Sequence, residues 1–436
     1  MKGEIVDCCF ALAEGKILKI GKEPNMPSAD EKTSLSNMLV LPGVVDAHVH
    51  LRDEENAYKE TFVTGTAAAA AGGVTTVLDM PNNFPVTMSR DILRNRMRIA
   101  RSRILVNVGF QSAFPRSIDE MNAIVDEGAV GFKLYMAEQI GGLEIDNDEA
   151  LKDGFKRAGE LGVPVSVHAE DHLSLKKAVE NFKLNHKDNI NAFLKAHAES
   201  VEQYAVERLL YLASQIEKSR IHLCHLSTEK ALAFVADAKR SGRAVTCEAT
   251  PHHLTLNNSD FSRFGAMALT VPPLRTKENV DSLWKAITVG TVDTIGSDHA
   301  PHTLEEKKAA SIWDVKAGLP GLETTLPLIL TAVHKGKLTM SRAIELLSEK
   351  PAEIFCLKGK GKLEQGSAAD LAVVDFNLSY QIDASKFKSK AKFSPFDKWG
   401  VQGKLLKTYV GGLLVMDNGE IVTRPGSGSI VRGTYS

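Results

Sequence analysis

A barrel of eight parallel strands, each followed by a helix, with a small β-sandwich drawn from both chain ends, is the fold this sequence predicts. Three observations lead there. Apolar runs of strand length alternate with amphipathic stretches eight times between residues 44 and 335, and eight is the number that closes a (β/α)8 barrel. Histidines, a lysine and an aspartate stand at or beside the ends of five of these runs, which is where side chains gathered at one barrel mouth must stand. Before residue 44 and after about 358 the pattern changes to short strands and turns. The chain is therefore expected to divide into 1–43 and 358–436, the two parts of a sandwich, and 44–357, the barrel.

Taken in order, Glu4-Ile5-Val6, 16–20 and 38–41 read as short strands, the last closed by Pro42-Gly43. Barrel strands are expected at 44–49, 74–79, 104–109, 129–134, 163–168, 220–225, 244–248 and 292–297. Helices are expected at 60–72, 87–102, 117–127, 147–161, 190–216, 228–240, 277–289 and 322–335. An open doubly wound sheet is the structural competitor, but it would gather its site at one switch point rather than on strands one, four, five, six and eight. Strand patterns resume at 371–374, 405–410 and 413–416, and Asn418-Gly419 marks a tight hairpin.

Composition narrows the partners. With 43% hydrophobic residues among 436 the chain has material for a large core, and a formal net charge of −1 supplies no field to draw nucleic acid or a membrane surface. Five scattered cysteines without a C-x-x-C pair suit a reducing compartment. Acidic Glu4 and Asp7 interrupt the apolar stretch that a leader would need, so a cytoplasmic location is expected.

The chemistry rests on clustering: ten of the thirteen histidines fall at 48–50, 168–172, 222–225, 252–253 and 299–302. His48 and His50, two apart on a strand, share a face about 6–7 Å apart and can reach one ion. Lys133 sits in the apolar Gly-Phe-Lys-Leu-Tyr. Alone it reads as a lysine reaching for the rim; beside the histidines it reads as carboxylated by CO2, an oxygen donor able to bridge two cations. His168 and His225 end successive strands and point to a second metal. His222, an odd number of residues from His225, falls on the other face. Asp298, in Gly-Ser-Asp-His, is the carboxylate suited to exchange a proton with water and leaving group, although Ser-Asp also suits a helix cap. Cys224 and Glu248 are candidates for an extra soft metal with His168, against the competing reading of Cys224 as a buried apolar residue, because adjacent strand residues point apart.

These residues lie in PGVVDAHVHLRD, GFKLYM, VHAED, CHLST, TCEATPHHLTL and GSDHAPHTLEEKK. In those strings, and along nearly its full length, the chain resembles the amidohydrolase superfamily, and within it the dihydroorotases of the lysine-containing class to which the dihydroorotase domain of the animal multifunctional pyrimidine enzyme belongs. The resemblance implies reversible hydrolysis of dihydroorotate to N-carbamoyl-L-aspartate in pyrimidine synthesis, with allantoinase and dihydropyrimidinase (hydantoinase) as the alternatives. It implies two divalent metal ions, taken as zinc: one held by His48, His50, Lys133 and Asp298, the other by carboxylated Lys133, His168 and His225. Arg52, Asn82 and His302 match the family's binders of the substrate carboxylate. A homodimer and association with aspartate transcarbamoylase are the expected assemblies, and a non-catalytic scaffold for that enzyme is a further alternative, disfavoured because no metal ligand is lost. Departures are local: Asp53-Glu54-Glu55 follows Arg52 where the family commonly has Glu-Pro-Gly, Val271 precedes Pro272-Pro273, and the segment after Lys133 lacks a Thr-Phe pair.

Overall fold

A computed structural model describes residues 5–435. Eight parallel strands form the barrel wall: β1 (Val44–Val49), β2 (Val74–Asp79), β3 (Asn107–Phe110, continued by Ser112–Ala113), β4 (Phe132–Tyr135), β5 (Val165–His168), β6 (Ile221–Leu223), β7 (Val245–Ala249) and β8 (Thr294–Ile295). Each pairs in parallel with the next. The ring closes where Val49, ending β1, bridges His299 just beyond β8. β3 is broken at Gln111, and beside the break Ile430 near the C-terminus bridges Val108 in parallel.

Strands buried on both faces read as near-continuous apolar runs, and Val49, Val77, Val108, Phe132, Val167, Leu223, Cys247 and Ile295 all lie in one continuous core. Helices follow where side-chain oxygens cap their first turns. Thr61 caps Phe62–Ala71 in a reciprocal capping box, Asn147 caps Asp148–Glu160, and Thr228 caps Glu229–Arg240. The stretch expected as one helix at 190–216 is two, Ile190–Ala196 and Glu199–Ser214, with the chain turning at His197 and Ala198. His197 is turned inward there to meet Glu170, and that contact is incompatible with an uninterrupted helix. A further helix, His172–Leu184, buries none of its residues; without an inward stripe its sequence periodicity is weak.

Both chain ends meet in an antiparallel sheet ordered Glu420–Ile421, Leu413–Asp417, Gly400–Val410, Leu371–Gln381, Leu39–Pro42. A hairpin of Cys9–Ala13 and Lys16–Gly21 packs against it through Ile17, Ala369 and Leu371. The expected strand at 4–6 is corrected: Ile5 and Val6 lie outside any strand, and Glu4 lies outside the described residues. Asn418 and Gly419 both have positive φ, 49° and 88°, as a two-residue hairpin turn requires. Among the described residues, no helix is long and apolar enough to cross a membrane.

Candidate active site

Every sequence-predicted site residue lies at the C-terminal mouth of the barrel or in the loops just above it. His48 is on β1 and His50 directly follows it; Lys133 is on β4; His168 ends β5; Cys224 and His225 follow β6; Glu248 is on β7; Asp298 follows β8. Two backbone reversals aim the later ones. His225 has φ of 36° and Asp298 of 46°, left-handed conformations that cost a residue with a Cβ and persist only where surrounding structure fixes them. The turn at His225 breaks strand alternation, and so Cys224 and His225 both reach the interior.

The imidazoles are held from behind. His48 Nδ1 meets Glu248 Oε1 at 2.8 Å, His50 Nδ1 meets Asn82 Oδ1 at 2.7 Å, and His168 Nε2 meets Glu170 Oε2 at 2.9 Å. In each ring the other nitrogen is left facing the cleft. His48 Nε2 and His50 Nε2 lie 3.4 and 3.3 Å from Asp298 Oδ1, and His168 Nδ1 lies 3.1 Å from His225 Nε2. Ligands about 2.0–2.1 Å from one ion at tetrahedral angles stand roughly 3.4 Å apart, so the donor spacing fits a divalent metal. Among the described residues two candidate clusters result, His48–His50–Asp298 and His48–Cys224–Glu248, consistent with a binuclear centre. Lys133 is fully buried, its Nζ 3.0 Å from Cys224 Sγ.

One expectation is corrected here. Cys224 and Glu248 gather with His48, not with His168, because Glu170 turns the His168 ring toward His225. His222 stays out of the mouth; its Nδ1 meets Thr246 at 2.9 Å.

Electrostatics follow from this packing. Burial disfavours the Asp298 carboxylate, but His48, His50 and His225 outweigh it and hold the group well below the ordinary aspartate range. Burial and Lys133 act to lower His48, yet Glu248 and Asp298 prevail and push it up to about 10. Burial pulls His50 down to about 3. Gly296 lies over Glu248: a Cβ there would meet Oε2 at 2.2 Å, so this glycine lets the carboxylate that steers His48 fit under β8.

Arg52 is held by a buried ionic knot that sequence reasoning missed. Arg96, fully buried, donates to Asp79 at 2.7 and 2.9 Å, to Glu54 at 2.5 Å and to the Arg52 carbonyl at 2.9 Å. It fixes a loop in which Arg52, Asp53 and Glu54 have φ of 55°, 54° and 49° in succession; this is where the sequence departs from Glu-Pro-Gly. The Arg52 guanidinium reaches His302 Nε2 at 3.4 Å, its Nε buried with no partner. Asn82, matched to substrate binding, is placed with its oxygen on His50. The orienting partners Glu170, Glu248 and Asn82 had one sequence signal in common, a carboxylate or amide at or just past a strand end.

A metal-ligating histidine depends on such partners. Glu170 also accepts from His197 at 2.8 Å and is kept ionised by His197 and His168 against its burial. Glu170→Gln is expected to weaken metal binding by roughly 10–100-fold, read by competition with a chelator; unchanged affinity would remove Glu170 from this role.

A parallel barrel with a histidine–carboxylate cluster at its C-terminal mouth defines a class of metal-dependent hydrolases. The comparisons narrow it: the model of the "Amidohydrolase family" matches residues 39–415, and the chain belongs to that family. It is 37% identical over 411 residues to a dihydroorotase of Methanothermobacter thermautotrophicus, covering 94% of this chain and 91% of that protein. It is 32% identical over 435 residues to an L-hydantoinase of Paenarthrobacter aurescens, covering 98% and 94%. Among solved structures it is similar to the L-hydantoinase (dihydropyrimidinase) from Arthrobacter aurescens, with a TM-score of 0.94 at 31% identity, covering 98% of this chain and 96% of that one. The chain is a hydrolase of this superfamily acting on cyclic amides. In overall shape the likeness to solved structures favours the hydantoinase–dihydropyrimidinase alternative over the dihydroorotase expectation.

Proposed function

We propose that the ring opened by this enzyme carries a free carboxylate, and that the reaction is the reversible hydrolysis of L-dihydroorotate to N-carbamoyl-L-aspartate. The observation that carries this reading is Arg52: a buried guanidinium beside His302 at the mouth, with a donor left unpaired. A site built to pair a substrate group rejects analogues that lack it, because its own buried donors are then stranded. Hydantoin and dihydrouracil have no carboxylate to offer.

His48, His50, His168, His225, Asp298 and carboxylated Lys133 would hold two divalent ions, zinc fitting the nitrogen–oxygen donor set. Bound there, such ions supply Lewis acidity to an amide carbonyl and make water nucleophilic near neutral pH. The rest is done by side chains. Asp298, ionised, accepts a proton from the attacking water and returns it to the departing ring nitrogen. Arg52 fixes the ring carboxylate bidentately, His302 borders that pocket, and Asn82 keeps His50 aimed at the centre.

The second reading, a hydantoinase or dihydropyrimidinase, is favoured by the TM-score of 0.94 to the L-hydantoinase. Turnover of dihydroorotate, hydantoin and dihydrouracil by one metal-loaded preparation separates the two. The carboxylate reading expects dihydroorotate to lead by at least about 10⁴-fold in kcat/KM, the discrimination of sites that would otherwise strand a buried polar group. A lead for either uncharged ring would transfer the assignment to the second reading.

A further inference from the structure

Tyr135 ends β4 two residues beyond Lys133, and so on the same face of the strand. It aligns with His168 across the sheet, and Lys133 Nζ lies 5.2 Å from its ring centroid. The residue is 8% exposed, and its hydroxyl is sealed from solvent with no hydrogen-bond partner. Native proteins pair nearly all such groups, and an unpaired buried donor at a ligand site calls for an acceptor.

The neighbourhood says which acceptor. Burial raises the Tyr135 hydroxyl well above the ordinary tyrosine range, Cys224, Asp79 and Asp298 act in the same direction, and Arg52 is the charge that opposes them. Reciprocally, burial is the main influence on Arg52 and Tyr135 is the next. Tyr135 at the end of β4 and Arg52 just past β1 both stand at the barrel mouth, and each keeps a buried donor without an acceptor, the Tyr135 hydroxyl and Arg52 Nε. A carboxylate, with two oxygens and about four acceptor positions, satisfies both; a ring without one has no charged acceptor to offer either donor.

We propose that Tyr135 is a specificity-determining residue whose hydroxyl donates to the substrate carboxylate alongside Arg52. The inference rests on the carboxylate-bearing ring proposed above. It adds a donor from β4 to a pocket otherwise built by the loop after β1 and by His302, and the hydroxyl keeps its proton throughout, so it acts by hydrogen bonding alone.

The test is Tyr135→Phe in the full-length, metal-loaded chain, which removes one oxygen and leaves the ring in place. KM for dihydroorotate should rise about ten- to a hundredfold, the worth of a hydrogen bond to a charged group, with kcat changed far less. The Ki of dihydrouracil as competing ligand, the metal content and Tm should hold. A purely structural tyrosine would move Tm or kcat and leave the KM-against-kcat split unchanged. An unchanged KM, or equal weakening of dihydroorotate and dihydrouracil, would overturn the role of Tyr135 while the dihydroorotase reading stands. Wild-type enzyme inactive on dihydroorotate would overturn both.

Discussion

Asp298→Asn should lower kcat on the cyclic amide by roughly 10³-fold or more, at the upper part of the range for loss of a general acid–base. The substitution keeps the size of the side chain, and asparagine tolerates the left-handed backbone at φ of 46° better than alanine does. What it removes is the charge. In the wild type three histidines hold that carboxylate ionised, in the form that accepts a proton, and the amide of asparagine accepts none at neutral pH. It is also a poorer partner for a cation that His48 and His50 would hold, so metal affinity should fall as well. Steady-state kinetics at saturating metal, beside a circular dichroism spectrum matching wild type, separate lost chemistry from lost folding. Turnover within tenfold of wild type would mean that another group carries the proton.

The second large effect is on substrate choice. Arg52→Met should cost on the order of 2–5 kcal/mol of transition-state binding for dihydroorotate, the range for truncating one partner of a buried charged pair. Metal content should stay intact, since Arg52 contributes no atom to either metal cluster. An uncharged ring such as dihydrouracil should lose far less. The measured quantity is the ratio of kcat/KM between the two substrates, which should shift toward the uncharged ring by about that energy. Equal losses on both would assign Arg52 to the support of its loop, through the carbonyl that Arg96 grips, and remove the main physical reason for preferring a carboxylate-bearing ring.

Much of this architecture was legible because burial leaves a periodic mark. A barrel strand is buried on both faces and mostly apolar, so Val44–Val49 and Val74–Asp79 stand out with their exact bounds. Strands β6 and β8 are shorter than the apolar runs at 220–225 and 292–297 that mark them, because the residues that follow leave the ladder to turn side chains into the site. The histidines were visible through clustering. Their supporting partners were not visible in that role: Glu248 reads as a metal candidate and Asn82 as a substrate binder, and no spacing in the chain reports which ring nitrogen Glu170, Glu248 or Asn82 holds. The exchange of His168 for His48 beside Cys224 has the same origin. Sequence placed a cysteine next to a ligand, but only the orientation imposed on His168 by Glu170 decided which histidine it would meet. The knot around Arg96 was hidden for a different reason: an arginine in the amphipathic run Arg90–Arg101 reads as solvent-facing, whereas Arg96 is 1% exposed.

The centre itself is tested most directly by metal stoichiometry against activity. Protein stripped with a chelator is titrated with zinc, and cyclic-amide hydrolysis is followed beside elemental analysis. Activity should be absent at the start and reach its plateau at about two equivalents per chain, as a bridged two-metal site requires. Full activity in the stripped protein would contradict a metal-dependent centre built from His48, His50, Lys133, His168, His225 and Asp298.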